Sequence, residues 1–324
     1  MSLTRVSSYI GNAPSDPAGI WQQSELEKWS NSPPEDMIAR HETILRADAH
    51  ALWFRWFIEG ICNPLRYVED EKKTIIDVLS DVIPRVDEIY PKEPADERSQ
   101  VAKKIAIHIM AEVSRRRQIE RISASIHQKR ELIYSSIGEP RCWMCGYKFS
   151  EKAIEKFLGK TRGLTLTPPQ FVDILRPRGI YARDIGIEIE HIVPVAGGGG
   201  GLENLALACG WCNKSKGART SLYDADARAP RASFVLGNIR WHELPHPFWT
   251  VRLMATRMRC EHSSGCDKNI KNSELFIAPS DHRGAPNPSN LHIYCADHDP
   301  YHHSRYFPRE EAARIWKEKT RAYA

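Results

Sequence analysis

Residues 188–217 read EIEHIVPVAGGGGGLENLALACGWCNKSKG. Their approach, IGIEIEHIV over 185–193, alternates and is rich in Ile and Val, which specifies a strand. Glu190 and His191 stand side by side at its end. Pro194 and the run Gly197–Gly201 force a loop. An apolar run resumes from Leu202 to Ala208, and Cys209 and Cys212 then bracket a tight turn. NKSKG, with Asn213, Lys214 and Lys216, starts a short helix.

A carboxylate beside an imidazole, an amide and lysines suits cleavage of a phosphodiester. That reaction needs an activated water and a cation to stabilise charge on the phosphate and the leaving oxygen. An imidazole can accept the water's proton. A Glu carboxylate with an Asn carbonyl is a hard-oxygen set that suits Mg²⁺ or Mn²⁺. The glycine run lacks the Lys-Ser/Thr ending of a phosphate-binding P-loop and reads as a hairpin loop.

The eight cysteines matter through their spacing. Cys142/Cys145 and Cys209/Cys212 are both C-x-x-C pairs, which read as zinc ligands before disulfides. A thioredoxin-type dithiol is disfavoured, because two such pairs coexist and NKSKG follows the second. A zinc deaminase needs H-x-E and then P-C-x-x-C; here Glu precedes His, and no Pro precedes Cys209. Further on, Cys260-x5-Cys266 and Cys295-x-x-His298 read as a second zinc site, with His262, His302 and His303 as rival ligands. Cys62, beside apolar Ile58 and Ile61, reads as a buried hydrophobe.

Outward from these motifs, the 324 residues suit two or three domains. Residues 1–20, rich in Ser, Gly and Pro, read as a flexible lead-in. Residues 21–137 read as a helical domain. Within it ETILRADAHALWFRWFIEGI supplies Leu45, Leu52, Trp53, Trp56 and Phe57 as core candidates. A second helix is expected from Glu69 to Ile83, stopped at Pro84, followed by a charged linker over 91–98. A long amphipathic segment is expected from Val101 to Ile137, carrying Ile105, Ile109, Val113, Ile119, Ile122 and Ile126. Its triplet Arg115-Arg116-Arg117 reads as a solvated face in preference to a phosphate contact. Helical patterning stops at Gly138-Glu139-Pro140. Residues 138–231 hold the cysteine pairs and the strand–helix block, and 232–324 form a C-terminal region. The expected class is therefore α+β. A net charge of +5 permits nucleic-acid binding without demanding it. With mean hydropathy −0.49 and no apolar run near 20 residues, no membrane span is expected. No secretory signal is read at the N-terminus, and a cytoplasmic location is expected.

The block resembles the HNH (ββα-metal) endonuclease family, in the branch whose third signature residue is Asn. The matching positions are Glu190-His191, Ile192-Val193-Pro194, the glycine loop, Asn204, and Cys209-x-x-Cys212-Asn213-x-x-Lys216-Gly217, with Cys142-x-x-Cys145-Gly146 completing a four-cysteine zinc knuckle. The resemblance covers roughly a quarter of the chain. It implies that His191 is the general base, that Glu190 and Asn213 hold a catalytic Mg²⁺ or Mn²⁺, and that Asn204 braces the loop orienting His191. Cys142, Cys145, Cys209 and Cys212 would bind structural zinc, and Lys214, Lys216 and Arg219 would touch phosphates. The chain departs from the family pattern in having Glu at 190, where Asp is usual, and in a long insertion over about 148–184, expected to shape substrate access.

The implied function is metal-dependent hydrolysis of DNA, with duplex DNA as partner and one or two structural zinc ions per chain. A restriction or anti-phage effector role accompanies the resemblance. The helical half is left for recognition, homodimerisation or docking of a protein partner. Two other readings stay open: a non-catalytic zinc module that binds nucleic acid or protein, and an HNH nuclease acting on RNA.

Overall fold

The structure is a computed structural model that describes residues 3–11, 39–117, 124–135, 138–160, 163–193 and 204–321. The stretch read as a lead-in contains one helix, α1 (Leu3–Gly11). Helices α2 (Glu42–Ile61), α3 (Leu65–Val68), α4 (Ile75–Ile89) and α5 (Ala95–Arg117) follow. They share a core of Ile58, Cys62, Val78, Val82, Val86, Ile105, Ile109 and Val113. Cys62 is buried as expected, with its sulfur 3.2 Å from the Tyr67 hydroxyl.

Several details of this half differ from the sequence reading. Trp53, Trp56 and Phe57 are exposed, at 69%, 57% and 48%, while Leu45 and Leu52 are half-buried. α2 is apolar around most of its circumference, so periodicity could not choose its inward face. The face that packs carries Ile44 and Leu45 against one core and Ile58 and Ile61 against another. The second helix runs through Pro84 to Ile89. An internal proline costs about 3 kcal/mol, and the unbroken buried stripe Val78, Val82 and Val86 outweighs it at about 1.5–3 kcal/mol per residue. That helix starts at Ile75, where Thr74 and Asp77 form a capping box. Residues 95–98, read as linker, are the first turn of α5.

The long segment forms α5 and a separate α6 (Ile126–Tyr134). Ile105, Ile109 and Val113 are buried and Ile126 is exposed; Ile119 and Ile122 lie outside the described residues. The arginine triplet is largely tied down. Arg117 donates to the carbonyls of Tyr67 and Asp70 at 2.6 Å, and Arg116 pairs with Glu112 and Glu59.

The rest of the chain is built from two-stranded antiparallel ladders. α7 (Glu151–Phe157) precedes β1 (Phe171–Asp173), β2 (Ile187–His191), β3 (Leu205–Cys209), α8 (Gly210–Lys216), β4 (Arg231–Leu236) and β5 (Ile239–Glu243). Then come α9 (Pro247–Arg257), β6 (Leu275–Pro279), β7 (Leu291–Cys295), β8 (Tyr306–Pro308) and α10 (Arg309–Arg321). The pairs are β1–β8, β2–β3, β4–β5 and β6–β7. One buried cluster holds Phe149, Leu207, Trp211, Phe248, Leu253, Ile277 and Ile293, so this core spans both sides of residue 231.

The insertion over 148–184 is anchored to the C-terminal region. Arg305, fully buried, donates to both oxygens of Asp173 at 2.8 and 2.9 Å and also pairs with Asp299. Such a charge is tolerable inside only because carboxylates and the Ile277 carbonyl satisfy its donors. The N-terminal end of α2 is fixed to the same body. Asp48 accepts from Arg252 and from the Leu222 amide, and the His41 ring meets the Leu291 carbonyl at 2.6 Å. No helix among the described residues is long and apolar enough to cross a membrane.

Candidate active site and zinc centres

β2 and β3 pair with His191 opposite Leu205, Glu190 opposite Ala206 and Ile187 opposite Cys209. Strand alternation puts Glu188 and Glu190 on one face, and α8 covers that face. α8 runs alongside β2, so its side chains one turn apart, about 4.5 Å, lie against strand residues two apart, about 6.6 Å. The result is a two-rung ladder. The Asn213 amide donates to Glu188 Oε2 at 2.5 Å, and Lys216 Nζ donates to Glu190 Oε1 at 2.5 Å. Gly210 allows α8 to start this close to the preceding turn, because a Cβ there would lie 2.1 Å from the Arg183 carbonyl oxygen.

The sequence reading put Glu190 with Asn213. It did so as ligands of one cation; the hydrogen bond of the Asn213 amide goes to Glu188, a residue that reading passed over although it lies two positions before Glu190. Arg183 holds Glu188 from the other side, at 2.5 Å through Nε and 3.1 Å through Nη2.

Glu190 is 4% exposed. Burial pushes its carboxyl above the ordinary range, opposed by Lys216. Its Oε2 is buried with no hydrogen bond inside 3.5 Å, and the Trp143 indole N–H faces the carboxylate and also favours its charged form. Glu188 and Glu190 on one strand face, with the Asn213 amide on the helix that covers it, are the hard-oxygen donor types that a divalent cation takes. Lys216 is buried and committed to Glu190 and to the His191 carbonyl at 2.9 Å, so it is not an exposed phosphate contact. Lys214 and Arg219 are exposed, over the rings of Tyr181 and Phe248.

His191 is half-buried at the end of β2. Asn204 clasps the chain just beyond it: Oδ1 accepts from the Val193 amide, and Nδ2 donates to the Val193 carbonyl, both at 2.8 Å. The Ile192 amide donates to the Asn204 carbonyl, also at 2.8 Å. Pro194 and the glycine loop lie outside the described residues.

Behind this unit Cys142, Cys145, Cys209 and Cys212 are fully buried, and their sulfurs lie within 4.8 Å of one another. Sulfurs at zinc-bond length from one centre stand about 3.8 Å apart, so the cluster fits tetrahedral zinc. Burial pushes the Cys209 and Cys212 thiols up, as do neighbouring sulfurs. Arg178 lies 3.9 Å from the Cys145 sulfur, where its positive charge would offset the excess negative charge of four thiolates if zinc were bound. Gly146, at φ +72°, seats the knuckle on the C-terminal region, since a Cβ would meet the Ser273 carbonyl at 2.1 Å.

Cys260, Cys266, Cys295 and His298 form a second cluster within the same 4.8 Å limit. His298 presents Nδ1, 3.4 Å from the Cys295 sulfur. Of the rival ligands, His262 stacks on the His298 ring at 4.0 Å with its own Nδ1 on Ser264, and His302 packs on Phe276. Both cysteine clusters fit zinc.

Comparison with curated proteins and with solved structures finds no match to this chain. The segment 182–219, which carries the hairpin, α8 and the Glu188–Asn213 and Glu190–Lys216 rungs, matches the family model described as HNH endonuclease, and that match supports a nuclease.

Proposed function

We propose that this protein is a metal-dependent endonuclease that hydrolyses DNA. The supporting observation is the assembly of Glu190, His191, Asn204 and Asn213 on one hairpin–helix unit stapled from behind by four cysteines. A ring nitrogen of His191 takes the proton from the attacking water. Asn204 keeps that ring in place by clasping Val193. Glu190 and Asn213 would hold Mg²⁺ or Mn²⁺, with Glu188 positioning Asn213. When bound, the cation neutralises charge on the scissile phosphate and the leaving oxygen. Lys214 and Arg219 contact flanking phosphates. Zinc takes no part in the reaction; it fixes the start of α8.

The Lys216–Glu190 pair favours a second reading, a zinc module that binds nucleic acid without cutting it, because the ammonium already neutralises the carboxylate. Effector work in restriction or anti-phage defence, in the cytoplasm, is proposed on the family resemblance alone. Side-by-side digestion of supercoiled plasmid, single-stranded DNA and RNA with Mg²⁺ or Mn²⁺ tests the proposal. Cutting of DNA is expected. Cutting of RNA alone would move the substrate, and binding without cutting would favour the second reading.

A further inference from the structure

A groove of about 910 Å³ separates α8 from the C-terminal helix α10. Lys214 and Arg219 line one wall, and Arg314, Trp316 and Lys317 line the other, with Tyr181 between them. Two carboxylates reach the groove, and both are engaged. Asp184 is buried and accepts from the Tyr181 amide at 2.8 Å, while Glu310 pairs with Arg309. The cations are differently placed. Lys214 and Arg219 lie over aromatic rings; Lys214 also acts on the buried Asp184 carboxylate, though among the described residues neither cation is within 4.0 Å of a carboxylate oxygen. Arg314 is exposed and, among the described residues, pairs with Glu318, one turn away on its own helix. Lys214, Arg219, Arg314 and Lys317 outnumber Asp184 and Glu310 in the lining, which makes the groove an anion track by net charge.

Its position ties it to the cutting site. Lys214 directly follows Asn213, and Tyr181 and Asp184 flank the turn carrying Arg183, the partner of Glu188. Tyr181 is 63% exposed, which leaves its ring available at the groove. A duplex keeps its base faces stacked on each other and offers none to a tyrosine. An unpaired strand offers both phosphates and base faces.

We infer that this groove binds an unpaired DNA strand, with Lys214, Arg219, Arg314 and Lys317 on its phosphates and a base stacked on Tyr181. The inference rests on reading residues 182–219 as a nuclease, and it adds a wall, α10, that lies outside the matched segment. It assigns the enzyme to DNA that carries a single-stranded part next to the cut.

The test is fluorescence-anisotropy binding of a labelled thymidine oligonucleotide and of a blunt duplex to zinc-loaded His191→Ala protein, without Mg²⁺ or Mn²⁺. Arg314→Ala/Lys317→Ala should weaken oligonucleotide binding and flatten its log–log salt dependence by about 1.4, the value for two single-strand phosphate contacts. Tyr181→Ala should weaken it by about 5- to 150-fold, Tyr181→Phe should restore it, and duplex binding should not respond to either Tyr181 change. The inference is overturned if the salt slope and affinity are unchanged in these folded variants, or if polyglutamate competes as well as the oligonucleotide. Cleavage by the wild type is read separately. Groove-dependent binding with no cleavage would defeat the nuclease reading and leave the groove standing, whereas cleavage with no groove dependence would do the reverse.

Discussion

The amide of Asn213 lies 2.5 Å from Glu188 Oε2, and Arg183 grips the same carboxylate, so Glu188 fixes the side chain that the proposed site would use to hold a cation. Removing a group that orients a metal ligand typically costs about 10- to 100-fold in metal affinity or activity. Glu188→Ala should therefore raise the Mg²⁺ concentration needed for cleavage by that order. Glu188→Gln, which keeps an oxygen to accept from Asn213, should recover most of the loss. A magnesium titration of both variants decides this; an unchanged requirement in Glu188→Ala would remove Glu188 from the site.

Lys216 is the cation that makes the buried Glu190 carboxylate tolerable. Replacing one member of a buried pair strands the other, at a cost of about 3–5 kcal/mol. Lys216→Met should destabilise the zinc-loaded protein by that amount in urea. The double change Glu190→Gln/Lys216→Met should recover part of it. Equal stability of Lys216→Met and wild type would show that the pair does not hold α8 to β2.

Metal content separates the two cysteine clusters. Wild-type protein should carry two zinc ions per chain, one for each four-ligand group. Cys209→Ser and Cys295→Ser should each lower the content by one, measured by atomic emission after gel filtration. Loss of the first should abolish cleavage, since Cys209 joins β3 to α8, while loss of the second should lower thermal stability. A wild-type content of one would dismiss the Cys260–His298 site.

His41 gives the protein a pH-dependent seam. Burial lowers its pKa from 6.5 to about 4, with Arg257 adding to the effect. The folded state therefore resists protonation more than the unfolded chain does. Stability is full above pH 6.5 and falls as pH drops from there through 4. Linkage gives a loss of about 2 kcal/mol by pH 5. His41→Gln should be less stable at pH 7 and show a flatter profile between pH 7 and 5. An unaltered slope in urea melts at these two values would contradict the assignment.

The hairpin and the short helix were legible because local signals agree: β-branched alternation, a glycine run, and two C-x-x-C turns at fixed spacing. The two candidate zinc foursomes were legible in their spacing, the second less directly because Cys260-x5-Cys266 is no C-x-x-C turn and nearby histidines compete, and the structure brings each foursome together. The partner of Asn213 was not. Which strand carboxylate meets which helix side chain depends on how α8 lies along β2, and that is set by Gly210 and the packing of Trp211, not by spacing. The outward face of α2 was hidden for a related reason. Trp53, Trp56 and Phe57 lie on a helix that is apolar almost all round, and the bodies packed against it decide which face is inside. The anchoring of 148–184 to the C-terminal region through Asp173 and Arg305 joins residues far apart in the chain, which no local pattern records.

Plasmid cleavage by zinc-loaded wild type and His191→Ala, with and without added Mg²⁺ or Mn²⁺, tests the central claim most directly. The account predicts metal-dependent nicking or linearisation that falls by about two to four orders of magnitude in the variant. Undiminished cutting by His191→Ala, or cutting by the wild type that needs no added divalent cation, would contradict it.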